Sequence, residues 1–365
     1  MPGNPLDSIY FISVPEQFSL SLGDFSIDPG ILLPVEVQSG NEPLDVSSIS
    51  WEMIVAGMLR VLTFSPENEN SDYYRRFVLA VKPEIESELV RAGIEKAKHH
   101  DYDLADELFT TAAAVNPHSL ASYFNQAQVY ESRARSYQQL GNDSLCATFL
   151  EKTREAYETA LHIDPRSVQA LEAAAEFYLR IGNHEKALET FSFLAEQEDS
   201  SKVRQIIEEL HTRKRLDAQF QEAYASILDG KEQEAIKLID TFLTESNATW
   251  TAWFLRGWAF RRLGDYPEAE RSFKTALKLS EPQADILNEL AICTMENGNF
   301  DESLVYLDKA LELEPGNVKI LSNMGIISLK QGNPAEGEEY FQKVLEIDPN
   351  DPIALNFLKF LDSSA

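Results

Sequence analysis

Residues 253 to 276 read WFLRGWAFRRLGDYPEAERSFKTA. Within them Trp253, Gly257, Phe260, Ala269, Phe273 and Ala276 form an order of large and small residues. That order returns 34 residues later as Leu287, Ala291, Thr294, Ser303, Leu307 and Ala310. Another step of 34 reaches Leu321, Gly325, Ser328, Gly337, Phe341 and Val344, and Pro315 and Pro349, also 34 apart, close two of the units. A fixed period of this size marks stacked repeats, each burying its apolar face against the next. Small residues recur where two helices must approach closely, and large apolar ones recur where the next pair must be covered.

Going backward the phase holds. The unit at 216–249 fits through Ala223, Gly230, Ala235 and Ile239, and that at 168–201 through Leu171, Ala175, Tyr178, Gly182, Ala187 and Phe191. The unit at 86–119 fits through Leu89, Gly93, Ala105, Phe109, Ala112 and Pro117, while 120–167 keeps Ala127, Tyr130, Tyr157, Ala160 and Pro165. This pattern resembles the tetratricopeptide repeat family, whose unit carries an aromatic or Leu, Leu-Gly and Tyr, then Ala, Phe, Ala and a closing Pro. The resemblance implies an all-α fold, a right-handed superhelical solenoid of antiparallel helix pairs. It covers about seven units over 86–351, nearly three quarters of the chain.

Two stretches depart from the period. The unit at 120–167 is 14 residues too long and has no break until Gly141-Asn142-Asp143, which predicts two helices about two turns longer than their neighbours. A second excess of 14, near 202–215, places Val203, Ile206, Ile207 and Leu210 at helical spacing before the basic cluster HTRKR, His211 to Arg215. It follows the N-cap candidates Ser200 and Ser201, and either lengthens the next helix backward or forms one of its own.

Ahead of the repeats, residues 1–47 hold six prolines and the apolar runs IYFISV, FSLSL and ILLPVEV. They read as extended chain lying on the solenoid, with any strand short or at an edge because proline cannot donate to a ladder. Residues 48–63 and 72–82 read as two helices around SPENEN, making 48–85 a cap or degenerate repeat. Residues 352–365 supply a C-terminal capping helix, Ile353 to Leu361.

Sixty acidic against thirty-two basic residues give a net charge of −28, a field that repels phosphate backbones and anionic lipid and favours basic partners. Nucleic acid is therefore not expected as a partner. No run approaches the roughly 18 apolar residues of a membrane span, and MPGNPLDSIYF lacks the order of a secretory signal, so the expected location is cytoplasmic if Met1 is the native start. The two cysteines, Cys146 and Cys293, make neither a disulfide framework nor a metal knuckle.

No enzyme is expected, and no cofactor. The chain has no G-x-S-x-G, Gly-rich phosphate loop, H-E-x-x-H or C-x-x-C. His99, His100, Asp101 and Asp103 are metal-ligand types, but they fall in a helix junction with no matching cluster elsewhere, and they read as solvated turn residues.

The remaining chemistry lies in a stripe. Advancing each first-helix repeat position by one residue turns the side chain about 100°, onto the line that in the resembled family faces the concave groove. There stand Phe220, Tyr224 and Ile227, then Phe254, Trp258 and Arg261 with Arg262 beside it, then Asn288, Ile292 and Met295, then Ser322, Ile326 and Leu329. Nearer the N-terminus the stripe turns polar and acidic: Phe124, Gln128, Glu131, Glu172, Glu176 and Leu179. The resemblance also allows one family variant to be set aside. Val90 and Ile94 hold the places of the Lys and Asn that clamp chaperone carboxylates, although Arg91 and Asn125 lie nearby.

These readings predict a non-enzymatic scaffold that takes a protein or peptide, basic or bearing an apolar anchor, in the groove of residues 216–330. The binding residues are Phe220, Tyr224, Phe254, Trp258, Arg261, Arg262, Asn288 and Ile292. The alternatives are homo-oligomeric assembly through the extra helices, or accessory ligand binding beside an enzyme or transporter. The aromatics are equally accounted for if they pack on one another or lie under the chain's own parts, the 202–215 insertion or residues 1–47.

Overall fold

A computed structural model of the protein describes residues 5–14, 21, 22, 25–37 and 49–364. Four short strands come first: β1 (Ile9–Ile12), β2 (Ser21–Leu22), β3 (Phe25–Ser26) and β4 (Leu33–Glu36). The helices α1 (Trp51–Phe64), α2 (Ser71–Val81), α3 (Ile85–Lys98), α4 (Tyr102–Val115), α5 (Leu120–Gln139), α6 (Asp143–Ile163), α7 (Val168–Arg180) and α8 (His184–Gln197) follow. Then come α9 (Ser201–Leu228), α10 (Glu232–Glu245), α11 (Trp250–Leu263), α12 (Tyr266–Leu279), α13 (Ala284–Glu296), α14 (Phe300–Leu313), α15 (Val318–Lys330), α16 (Pro334–Ile347) and α17 (Pro352–Ser364). The chain divides into two units, Met1–Glu208 and Glu209–Ala365, with the division inside α9. The architecture is an array of paired antiparallel helices carrying small two-stranded sheets at its N-terminal end.

One packing rule recurs in three of the pairs. A Cβ placed on Gly93 would fall 2.6 Å from the Phe109 ring, on Gly257 2.7 Å from Phe273, and on Gly325 2.8 Å from Phe341. In each case the second helix's ring occupies the volume that a side chain on the first would need. Where the first helix carries Ala instead, at Ala223 and Ala291, the residue 16 positions on is the smaller Ile239 or Leu307, and all four are buried. Ala175 still faces a buried Phe191. Glycine has a second use at the turns, since Gly230, Gly264, Gly298 and Gly332 lie 34 apart with φ between 76° and 84°. At Gly264 the N–H groups of Gly264 and Asp265 reach the carbonyls of Arg261 and Phe260, both at 3.0 Å, which closes the end of α11.

In the first unit β1 pairs antiparallel with β4, and β2 with β3. β4 lies so close to α1 that a Cβ on Gly57 would meet Pro34 O at 2.5 Å. Leu33 and Val35 join Met58, Leu62, Tyr74 and Phe77 in one buried cluster. Tyr74 Oη donates to Leu32 O at 2.8 Å, and Asp28 N donates to Tyr73 Oη at 3.0 Å. The described part of residues 1–47 is thus committed to α1 and α2. Of the FSLSL run only Ser21 and Leu22 are placed, in β2; Phe18, Ser19 and Leu20 lie outside the described residues.

The long segments resolve into long helices. α5 has 20 residues and α6 has 21, joined through Gly141 at φ 68°, against 13 or 14 in α7 and α8. α9 runs 28 residues without interruption, and Ser200 Oγ accepts from Val203 N at its start. The 202–215 stretch therefore lengthens the next helix backward, and belongs to the same helix as Phe220 and Tyr224. Among the described residues no helix is long and apolar enough to cross a membrane.

Candidate binding face on the first helices

In the second unit α9, α11, α13 and α15 meet along one face, and side chains of the expected stripe touch from helix to helix. The Tyr224 and Trp258 rings lie 6.0 Å apart, joining α9 to α11. Tyr224 is 43% exposed and Leu228, one turn further along α9, 57%. Trp258 is half-buried and has the Arg262 guanidinium 6.0 Å from its ring, while Arg262 Nε donates to Glu232 Oε1 at 2.7 Å. That hydrogen bond holds the Glu232 carboxyl below the usual carboxylate range. Arg261 Nε lies 2.6 Å from Glu289 Oε2, spanning α11 and α13 at an angle unsuited to a hydrogen bond. Burial pushes the Glu289 carboxyl up, against the pull of Arg261.

Not every expected residue opens on this face. Phe254 turns its ring toward Phe273 at 5.4 Å, and Phe220 packs on Phe242 at 5.9 Å, so both are half-buried. Asn288 is only 9% exposed, and its Oδ1 accepts from Asn323 Nδ2 at 2.8 Å across to α15. Ile292 and Ile326 are half-buried. Ile227, Met295 and Ser322 are corrections: all three are buried, Ile227 fully, because the last turns of α9 and α13 and the second turn of α15 turn them toward neighbouring helices.

Arg256 explains the rest of the aromatic density in α11. Its guanidinium reaches Asp240 Oδ1 and Ser272 Oγ, both at 2.8 Å, and lies 4.6 Å from the Phe260 ring and 5.8 Å from that of Trp253. Trp253 Nε1 donates to Asn247 O at 2.8 Å. These contacts tie α11 to α10 and α12, and so they are structural.

Sequence reasoning missed the partners that neutralise the arginines, Glu232 and Glu289, and missed Leu228. A signal for Leu228 was available, since a step of 34 back from Arg262 lands on it. The acidic stripe of the first unit is also largely paired from within. Glu131 takes both Arg135, at 3.1 Å, and Arg180, at 2.6 Å, and Glu176 lies 3.5 Å from Lys202. Val90 is buried and Ile94 half-buried, so neither holds the charge a carboxylate clamp needs. His99 caps α3, His100 takes φ 60° with Nδ1 2.8 Å from Tyr102 Oη, and Asp103 pairs with Arg133 at 2.7 Å. Among the described residues no three His, Cys, Asp or Glu side chains converge as a metal site would require.

A model of the tetratricopeptide repeat matches residues 294–359, and a second model of the same repeat matches 150–200, 229–284 and 254–318. The chain belongs to the tetratricopeptide repeat (TPR) family. TPR proteins are generally protein–protein interaction modules and typically not enzymes. TPR repeat-containing protein MJ1428 of Methanocaldococcus jannaschii is 25% identical over 189 residues, which make up 52% of this chain and 31% of that protein. The chain thus spans about a third of that relative's length. Among solved structures, a tetratricopeptide repeat protein from Parabacteroides merdae is 17% identical with a TM-score of 0.35, covering 76% of this chain and 98% of its own. YrrB, described as a TPR protein with an unusual peptide-binding site, is 17% identical with a TM-score of 0.30, covering 69% and 97%.

Proposed function

We propose that this TPR protein is a non-enzymatic scaffold that binds a protein segment on the face of α9, α11 and α13, with an apolar anchor seated at Tyr224, Leu228 and Trp258. The observation that carries this is the exposed Tyr224 and Leu228 beside the half-buried Trp258, bounded by arginines that each face a carboxylate. Arg261 faces Glu289 and Arg262 faces Glu232, so neither of these two arginines is free to take an acidic ligand. Asp217, Glu222 and Asp285 stand exposed on the same helices, while the exposed Arg213 and Lys214 lie nearer the start of α9 than Tyr224. A segment whose apolar anchor is flanked by Lys or Arg therefore complements it. The proposed setting is the reducing cytoplasm, in keeping with the free thiols Cys146 and Cys293, the latter pushed up to about 12 chiefly by burial.

The test is affinity capture with the full chain and with Tyr224→Ala/Trp258→Ala. The double variant keeps its helical circular dichroism and melting temperature within a few degrees and loses the partner. Equal capture by a folded double variant contradicts the reading.

A further inference from the structure

Among the described residues, the strand β1 carries an edge that no other strand pairs with. Val37 N donates to Ser8 O at 3.0 Å, and hydrogen-bonded pairs alternate along an antiparallel ladder, so Tyr10 bonds Val35 and Ile12 bonds Leu33 on the inner side. Ile9 and Phe11 then turn their backbone groups outward. Phe11 stands opposite Pro34, which has no N–H to give, and among the described residues no bond reaches the Phe11 N–H or C=O, whereas Ile9 N donates to Leu6 O. The opposite side of the ribbon is closed, because β4 abuts α1 at Gly57. Tyr73 and Tyr74 hold the chain that leads into β4, through Asp28 and Leu32.

Its side chains fit the same purpose. Tyr10 is 54% exposed and Phe11 49%, on opposite faces of the ribbon. From Ser8 to Val14 the sequence SIYFISV has no charge and no proline, the devices by which edge strands are ordinarily blunted.

We infer that β1 pairs with β1 of a second copy of this chain about a two-fold axis at Phe11, joining two ribbons into one four-stranded sheet. That register sets Phe11 opposite its own copy, Ile9 opposite Ser13 and Tyr10 opposite Ile12. Every facing pair is uncharged, so a chain of net charge −28 meets its copy here without like charges opposed across the ladder. Five residues a side bury less than the roughly 1,200 Å² of a stable interface, so the dimer is weak and concentration-dependent.

Sedimentation of the full chain over a wide concentration range, in low and high salt, tests this. The mass rises toward that of two chains, further in high salt, which screens the acidic repulsion. Phe11→Lys and Phe11→Pro remain at one chain with unchanged helical circular dichroism. In a Cys146→Ser background, Phe11→Cys forms an intermolecular disulfide, since facing Cα atoms of a hydrogen-bonded pair lie about 5.5 Å apart. Leu140→Cys, exposed at the α5–α6 turn, does not. A wild-type chain that stays monomeric throughout, or a dimer that survives Phe11→Lys or links through Leu140→Cys instead, overturns the inference.

Discussion

At Gly257 there is room for a hydrogen and nothing larger, because the Phe273 ring fills the space of a Cβ. Gly257→Ala is predicted to cost about 1–3 kcal/mol, as overpacking does, read as a lower urea midpoint. The chain contains its own remedy: Ala291 faces Leu307 at the equivalent positions, so Phe273→Leu added to Gly257→Ala is expected to recover most of the loss. An additive double variant would refute this pairing. Gly264, seven residues on, is needed for a different reason, its φ of 80° with nothing near its Cβ position. Gly264→Ala should cost roughly 1–2 kcal/mol, and Gly264→Asn less, since Asn tolerates this conformation. Gly257 was visible in the sequence as a repeat residue, and Gly264 stands 34 residues after Gly230, which was. Their separate causes were not, because one depends on a ring 16 residues away and the other on a backbone angle.

At the scale of helices, neighbouring pairs are joined by charges that sequence periodicity only partly exposes. Lys274 of α12 lies 2.7 Å from Glu270 and 3.1 Å from Glu302 of α14. Hydrogen bonds from Tyr306 and Lys274 hold the Glu302 carboxyl below its usual value. A depressed carboxyl contributes stability that is present above its unfolded pKa, near 4.5, and lost as pH falls through the folded value. Glu302→Gln is therefore expected to narrow the gap between melting temperatures at pH 7 and pH 4, a change that calorimetry would detect. Glu289 has the opposite sign: its raised carboxyl favours the fold in the protonated form and weighs against it as pH rises through the folded value. Helix pairing and the 34-residue phase were legible because small and large residues must alternate wherever two helices cross. The burial of Ile227 and Met295 was not, since one residue of helical rotation decides between an open face and a core. Nor could the sequence choose between an extended helix and a separate one at 202–215, where both keep the same apolar spacing.

Over the whole chain the net charge of −28 sets the conditions under which the proposed face works. Affinity for a basic segment should fall as salt rises, while the apolar anchor's share persists. The most direct test is selection of random peptides on the full chain, followed by binding measurements against wild type and Tyr224→Ala/Trp258→Ala. The selected peptides are predicted to carry an aromatic or aliphatic anchor flanked by Lys or Arg. Loss of an anchoring aromatic costs about 2 kcal/mol or more, so the folded double variant should bind at least about 30-fold more weakly. Peptides that bind the double variant as tightly as wild type would contradict a partner face on α9, α11 and α13.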